Sequence, residues 1–148
     1  MKINLNNYLI FVLEDDEIAR TTLSSMLKTL GFNVREYSNG FEALNDIKTG
    51  LYPKLIISDI KMPILDGISF AKLLSEMHLN IPVVFLTAYE EDEYIQESIK
   101  ITNIKKFIKK PVLDIEKLSI QLRNIIKEQE SFDKFYSQYM ISWTTDLK

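Results

Sequence analysis

Residues 54–67 read KLIISDIKMPILDG. Lys54 to Ser58 is a short apolar run without polar alternation, and it stops on Asp59. Such a run, bounded by turn signals, is the pattern of a strand buried on both faces. Pro63 and Gly67 punctuate the turn. Beyond them Ile68, Phe70, Leu73, Leu74 and Met77 recur at helical spacing. A buried strand that ends on an acid and turns into an amphipathic helix is one βα unit.

The same unit recurs on either side. Upstream, Tyr8 to Leu13 (YLIFVL) is an apolar strand followed by Glu14, Asp15, Asp16 and Glu17, then a helical stripe of Ile18, Leu23, Met26, Leu27 and Leu30. Gly31 stands where a helix C-terminus favours glycine. Val34 to Tyr37 predicts a second strand, and Phe41, Leu44 and Ile47 a second helix closed by Gly50. Downstream, Pro82 opens a strand VVFL that ends at Thr87, and an acidic helix is expected from Glu91 to Ile99. Phe107 and Ile108 form the core of a fifth strand ending at Lys110-Pro111, and Asp114 is placed to cap a last helix through Ile126. Five successive βα units predict a parallel sheet with helices on both faces.

Composition narrows the function classes. The 148 residues are 46% hydrophobic and 26% charged, enough to build a core and unlike a disordered chain. Eighteen basic against 21 acidic residues give a net charge of -3, which argues against nucleic-acid binding through overall charge. There is no cysteine and one histidine, so thiolate chemistry is excluded and a histidine zinc site is disfavoured. No apolar run reaches the roughly 20 residues needed to span a bilayer, and the N-terminus lacks a signal-peptide pattern. A soluble cytoplasmic protein is the expectation.

The polar residues concentrate at strand ends. Glu14 and Asp15 follow the first strand, Asp59 closes the third, Thr87 the fourth and Lys110 the fifth. In an open parallel sheet these ends share one edge, where such folds bind ligands. Three carboxylates crowded there repel one another unless a cation is present. An all-oxygen site with few protein ligands suits Mg²⁺, which binds through one or two carboxylates plus phosphate oxygens. The lysine and threonine would then serve an anion, which completes a phosphoryl-transfer constellation. The plainer reading of any single residue is local: Asp16 and Asp66 as helix caps, Thr87 as a turn residue, Lys110-Pro111 as a loop.

These motifs resemble the receiver domain of bacterial two-component response regulators. FVLEDDEIAR resembles the opening strand and acidic pair, with Arg20 five residues after Asp15 identifying that pair as Glu14-Asp15. SDIKMPILDG matches the D-x-x-M-P-x-x-D-G signature with Asp59 in the phosphoacceptor position; FLTAY supplies Thr87, and FIKKPV supplies Lys110 through its Lys-Pro dipeptide. The resemblance covers about Tyr8 to Glu128. It implies a flavodoxin-like α/β fold, doubly wound (βα)5, with strand order 2-1-3-4-5.

The resemblance also implies a mechanism. Asp59 attacks the phosphorus of a phosphohistidine on a sensor histidine kinase or phosphotransfer protein. Mg²⁺ is held by Asp15, Asp59 and the backbone carbonyl of Lys61, with Glu14 reaching it directly or through water. Lys110 pairs with the phosphoryl group, Thr87 hydrogen-bonds it, and Ala88 leaves it room. The product switches the surface of the fourth helix, fifth strand and last helix. Such a protein is a signalling domain rather than an enzyme, although it assists its own phosphorylation and dephosphorylation. Lys61 and Tyr89 occupy the positions that flank the attacking water, and Tyr89 is bulky enough to slow it. The Lys110-Pro111 bond is expected to be cis.

Some positions depart from the family pattern. Asn103 stands where glycine is common, which a left-handed backbone would accommodate. Phe107 replaces a common tyrosine and loses its hydroxyl. The run KKFIKK reads best as a lysine-guarded edge strand, with anion or nucleic-acid binding as the alternative. His78, near a helix end, is expected to be exposed and structural.

The receiver is expected over residues 1–128, with a C-terminal helical extension over 129–148. Leu118, Leu122, Ile125, Gln129, Phe132, Tyr136, Tyr139 and Trp143 step by four and three, which is a heptad seam and continues the last helix. Three roles fit it: a parallel or antiparallel homodimer, a fold-back on the domain, or a signalling helix into an effector. An alternative for the whole chain is the N-terminal receiver module of a larger hybrid kinase or effector. A phosphatase or nucleotidyl enzyme on the same acidic edge is disfavoured, since no D-x-D follows the first strand and no phosphate-binding glycine loop is present. A purely structural module with a degenerate site is opposed by the complete set of site residues.

Overall fold

The computed structural model describes residues 8–88 and 100–146. The helix expected from Glu91 to Ile99, and Tyr89, lie outside them. The elements run β1 (Leu9–Leu13), α1 (Glu17–Thr29), β2 (Asn33–Tyr37), α2 (Gly40–Lys48), β3 (Leu55–Asp59), α3 (Gly67–Glu76), β4 (Val83–Thr87), β5 (Ile104–Lys109) and, as the fourth described helix, α4 (Ile115–Asp146). The sheet is parallel throughout, in the order β2-β1-β3-β4-β5. The parallel sheet is the one read from the alternation, and its order is the flavodoxin-like, doubly wound one that the resemblance implied.

Helix starts follow side-chain capping. Asp16 Oδ1 accepts from Ala19 N at 2.8 Å, Asn39 Oδ1 from Glu42 N at 3.0 Å, Asp66 Oδ1 from Ser69 N at 2.9 Å and Asp114 Oδ1 from Lys117 N at 2.9 Å. Each bond satisfies an amide that the first helical turn leaves without a partner. Asp16 and Asp66 therefore cap, as their local reading had it. Gly31 and Gly50 take φ of 99° and 100° just past α1 and α2. His78 adopts φ 58° in the same place after α3 and is exposed, so its role is to end that helix.

The core has two layers, one per sheet face. Phe11, Leu13, Ile56, Phe85 and Val83 face Leu44 and Ile47 of α2 and Phe70 and Leu74 of α3. Ile10, Val12, Ile57, Val84 and Leu86 face Leu23 and Leu27 of α1 and Leu118, Leu122 and Ile126 of α4. Successive strand residues point to opposite faces, so a strand covered on both sides is apolar at every position. β3 and β4 are buried along their full length, whereas the edge strand β2 is mostly exposed. Burying each such side chain contributes about 1.5–3 kcal/mol.

β5 lies at the other edge. Val83 pairs with Ile104 but Val84 pairs with Lys106, so Lys105 forms a bulge, and its Nζ donates to Thr102 O at 3.0 Å. Bulges and lysines both discourage further strand pairing. Asn103 does not use a left-handed backbone: among the described residues the non-glycine positions at positive φ are Ile64 and His78. Asn103 is instead buried, and its Nδ2 donates to Ala71 O at 3.2 Å, linking the approach to β5 with α3.

α4 continues twenty residues past Ile126. No proline or glycine interrupts it, and the heptad register holds. An ion pair between Glu130 and Lys54, 3.6 Å apart, ties it to the loop before β3. From Ser131 to Thr145 every residue is exposed.

Candidate functional site

All strands run the same way, so the residues that end them gather on one edge. Glu14 follows β1, Asp59 ends β3, Thr87 ends β4 and Lys110 follows β5. β1 and β3 are direct neighbours in register, with Leu13 opposite Ser58, which brings the acids together. Lys110 Nζ lies 3.0 Å from Glu14 Oε2 and 3.1 Å from Asp59 Oδ2. Glu14 is 4% exposed and Asp59 9%, while Asp15 is the most exposed of the three. Each of the three carboxylates offers an oxygen within 4.8 Å of the others.

The main chain holds these groups in place. Asp16 N donates to Glu14 Oε1 at 3.1 Å, and Ile60 N donates to Asp59 Oδ1 at 3.1 Å. Lys110 N donates to Thr87 O at 2.8 Å, which ties the ends of β4 and β5 together. Thr87 is 2% exposed. The Lys110–Pro111 bond is cis, as the resemblance implied. The rim beside Asp15 is a cleft of about 370 Å³ lined by Ile60, Lys61, Met62, Pro63 and Asp66, so Lys61 and Asp15 face one space.

Electrostatics indicate what the cluster could hold. Burial and a hydrogen bond to Glu14 raise the Asp15 carboxyl above its ordinary value. Burial pulls the Lys110 ammonium down, but its bonds to Glu14 and Asp59 outweigh this and leave it raised. The Lys110 ammonium thus pairs with two carboxylates of a cluster of three. Hard oxygen donors with surplus negative charge fit a small divalent cation. Glu14, Asp15 and Asp59 could together hold such an ion.

Two supporting residues carry more than their sequence signals suggested. Arg20 serves in the sequence only as a spacing marker. In the structure its Nη1 donates to Glu14 O at 2.8 Å, one helical turn from the acidic pair, and fixes the loop that presents both acids. Gly67, the last residue of the signature, starts α3 directly against β3. A Cβ there would collide with the Asp59 carbonyl oxygen and would lie 2.7 Å from the Phe85 ring. Gly67 N also donates to Ile60 O at 2.8 Å. The glycine is required by close approach to the central acid.

Comparison with known proteins agrees with this geometry. Residues 10–123 match the family described as the response regulator receiver domain. The sporulation initiation phosphotransferase F of Bacillus subtilis is 34% identical over 103 residues, 70% of this chain and 82% of that protein. The transcriptional regulatory protein ZraR of Escherichia coli is 30% identical over 128 residues, 86% of this chain. The match spans only 28% of ZraR, so the chain is similar to one part of that longer relative. Among solved structures, the receiver domain of the Francisella response regulator 1452 superposes with a TM-score of 0.72 at 29% identity, covering 82% of this chain and 98% of that one. The chain belongs to the family of response regulator receiver domains, the signalling modules of bacterial two-component systems.

Proposed function

We propose that Asp59 is a phosphoacceptor. Its carboxylate oxygen attacks the phosphorus of a phosphohistidine on a sensor histidine kinase or a phosphotransfer protein. The P–N bond breaks, an O–P bond forms, and the imidazole leaves with the electron pair of the broken bond. The product is an acyl phosphate, which water later hydrolyses to restore the carboxylate. The observation that carries this reading is the placement of Glu14 and Asp59, from adjacent parallel strands, on one lysine ammonium.

Each residue has a role in the proposal. Asp15, Asp59 and the Lys61 carbonyl would hold Mg²⁺, with Glu14 contributing directly or through water. When bound, that ion neutralises charge on the phosphoryl oxygens. Lys110, already beside Asp59, follows the negative charge as it moves onto the phosphoryl group. Thr87, at the end of the neighbouring strand, donates its hydroxyl to a phosphoryl oxygen. Mainly positioning and charge neutralisation are needed, because phosphoryl transfer demands little covalent work from the protein.

The readout is a shift between two populations of the surface formed by β5, α4 and the segment before β5. Phe107 on β5 packs on Phe85 of β4 with ring centroids 5.6 Å apart, so a change at Thr87 reaches it through the neighbouring strand. We assign residues 1–128 to the receiver and 129–148 to a C-terminal extension that serves self-association. Incubation with a small phosphodonor and Mg²⁺, followed by intact-mass measurement, tests the assignment. One phosphoryl group per chain is expected, absent from Asp59→Asn. Addition that survives Asp59→Asn would overturn it.

A further inference from the structure

The exposed part of α4 is not a neutral tail. Phe132, Phe135, Tyr136, Tyr139, Met140 and Trp143 lie on one face at about 100° per residue. Their exposures run from 39% for Met140 to 68% for Phe135. Phe132 and Tyr136 already stack at 6.2 Å between centroids, so the face is partly ordered by itself. Charges within this stretch are few, Asp133 and Lys134 between Ser131 and Thr145.

The size of the face sets what it needs. An aromatic side chain carries about 150–250 Å². Five rings a little over half exposed therefore leave on the order of 600 Å² of apolar surface per chain. Two copies laid face to face would withdraw about 1,200 Å², the lower bound for stable specific interfaces. A stripe of this extent is at the upper limit of what monomers expose.

Its surroundings decide the orientation. Followed toward the domain, the stripe runs into a groove of about 300 Å³ between Ile125, Gln129 and Phe132 on the helix and Asn80, Asn103 and Lys105 on the sheet layer. Further upstream, Leu118 and Leu122 of the same seam are buried against the sheet and Ile125 packs beside them, so the domain itself occupies the line of the stripe above Gln129. A parallel second helix would have to extend its own residues upstream of Gln129 along that line, into this wall. It would also set Glu128 beside Asp133 of the other copy, like against like across the seam. A helix entering from the opposite end brings only its last turn to that wall and does not set Glu128 beside Asp133.

We infer that the chain forms an antiparallel homodimer through residues 129–143 of α4. Tyr136 of each copy lies opposite Tyr139 of the other, and Phe132 lies opposite Trp143. The mouth of the groove receives the second copy's Trp143. The two receiver units then stand at opposite ends of the helix pair, and each keeps its acidic edge open. The inference rests on α4 alone and is independent of the phosphoacceptor reading.

The test begins with sedimentation equilibrium of the full chain. The expected mass is twice the 17.3 kDa of one chain. Tyr136→Glu with Tyr139→Glu, both on the exposed surface, is expected to give a monomer with an unchanged circular-dichroism spectrum. Orientation follows from single cysteines, since the natural chain has none. An equal mixture of Phe132→Cys and Trp143→Cys is expected to form the mixed disulfide several-fold faster than either forms its own. A monomeric native chain, a dimer that survives the double glutamate variant, or faster self-linkage at Phe132→Cys would each overturn the inference.

Discussion

Lys110 Nζ lies 3.0 Å from Glu14 Oε2, although 96 positions separate the two residues in the chain. The contact forms because β1 and β5, separated in the sheet by β3 and β4, end on the same edge. It makes Lys110 a counterion to Glu14 as well as to Asp59. Lys110→Ala should therefore have two effects. Phosphorylation from a small donor should slow by about 10²-fold, the usual result of removing one donor to developing charge. The two nearly buried carboxylates would lose their partner, and the metal-free protein should lose about 1–3 kcal/mol of stability. Phosphorylation kinetics and urea unfolding measure the two separately.

If Asp15 holds a cation as proposed, its raised carboxyl should make that binding pH-dependent. A group whose pKa rises on folding supports the folded state below its unfolded pKa of about 3.8. That support is lost as pH climbs through the folded value, because the Asp15 carboxylate then ionises where burial and the neighbouring Glu14 disfavour its charge. The metal-free protein should pay this penalty at neutral pH, and Mg²⁺ should remove it. The Mg²⁺-induced rise in Tm should thus be larger near about pH 7 than near about pH 4. An equal rise at both would contradict the assignment of Asp15 to the metal. Differential scanning fluorimetry with and without Mg²⁺ measures it.

Lys110 acts at the other end of the scale. Its pKa is raised in the folded state, so its contribution is complete below the unfolded value of 10.5 and is lost as pH rises through the folded one. Native stability should fall more steeply above about pH 10.5 than that of Lys110→Arg, whose guanidinium stays charged. Tm followed through the alkaline range gives the comparison.

Gly67→Ala tests the close approach behind Asp59. The new methyl meets main chain and the Phe85 ring rather than a flexible side chain, so the strand or the helix must move. A loss of about 1–3 kcal/mol is expected in urea unfolding, together with slower phosphorylation, because the displaced carbonyl belongs to Asp59. Both effects should appear in the same variant.

Within α4, position decides the cost of a substitution. Leu122 is fully buried against the sheet, and Leu122→Ala should cost about 2–5 kcal/mol. Ile120 is 55% exposed on the same helix, and Ile120→Ala should stay within about 0.5 kcal/mol of the native chain. Chemical denaturation of the two variants side by side checks the contrast.

Much of this protein was legible in the sequence. Unalternating runs such as KLIIS identify strands covered on both faces, and Asp59 marks the end of one because a carboxylate is not stable inside that layer. Glycines and capping acids bound the helices, since a helix end must satisfy its own amides. The signature around Asp59, with Thr87 and Lys110 in order, identified the family. Other features depended on chains meeting in space. Asn103 looked like a left-handed substitute for glycine, yet its amide is buried against α3, a partner 32 residues away that local spacing does not reveal. Arg20 became a support for Glu14, and Gly67 a necessity, only when α1 and α3 were placed against the strand ends. The heptad seam of α4 was visible as a pattern. Which half of it meets the sheet and which half faces solvent was decided by where the sheet ends, because burial depends on neighbouring elements and not on the helix's own residues.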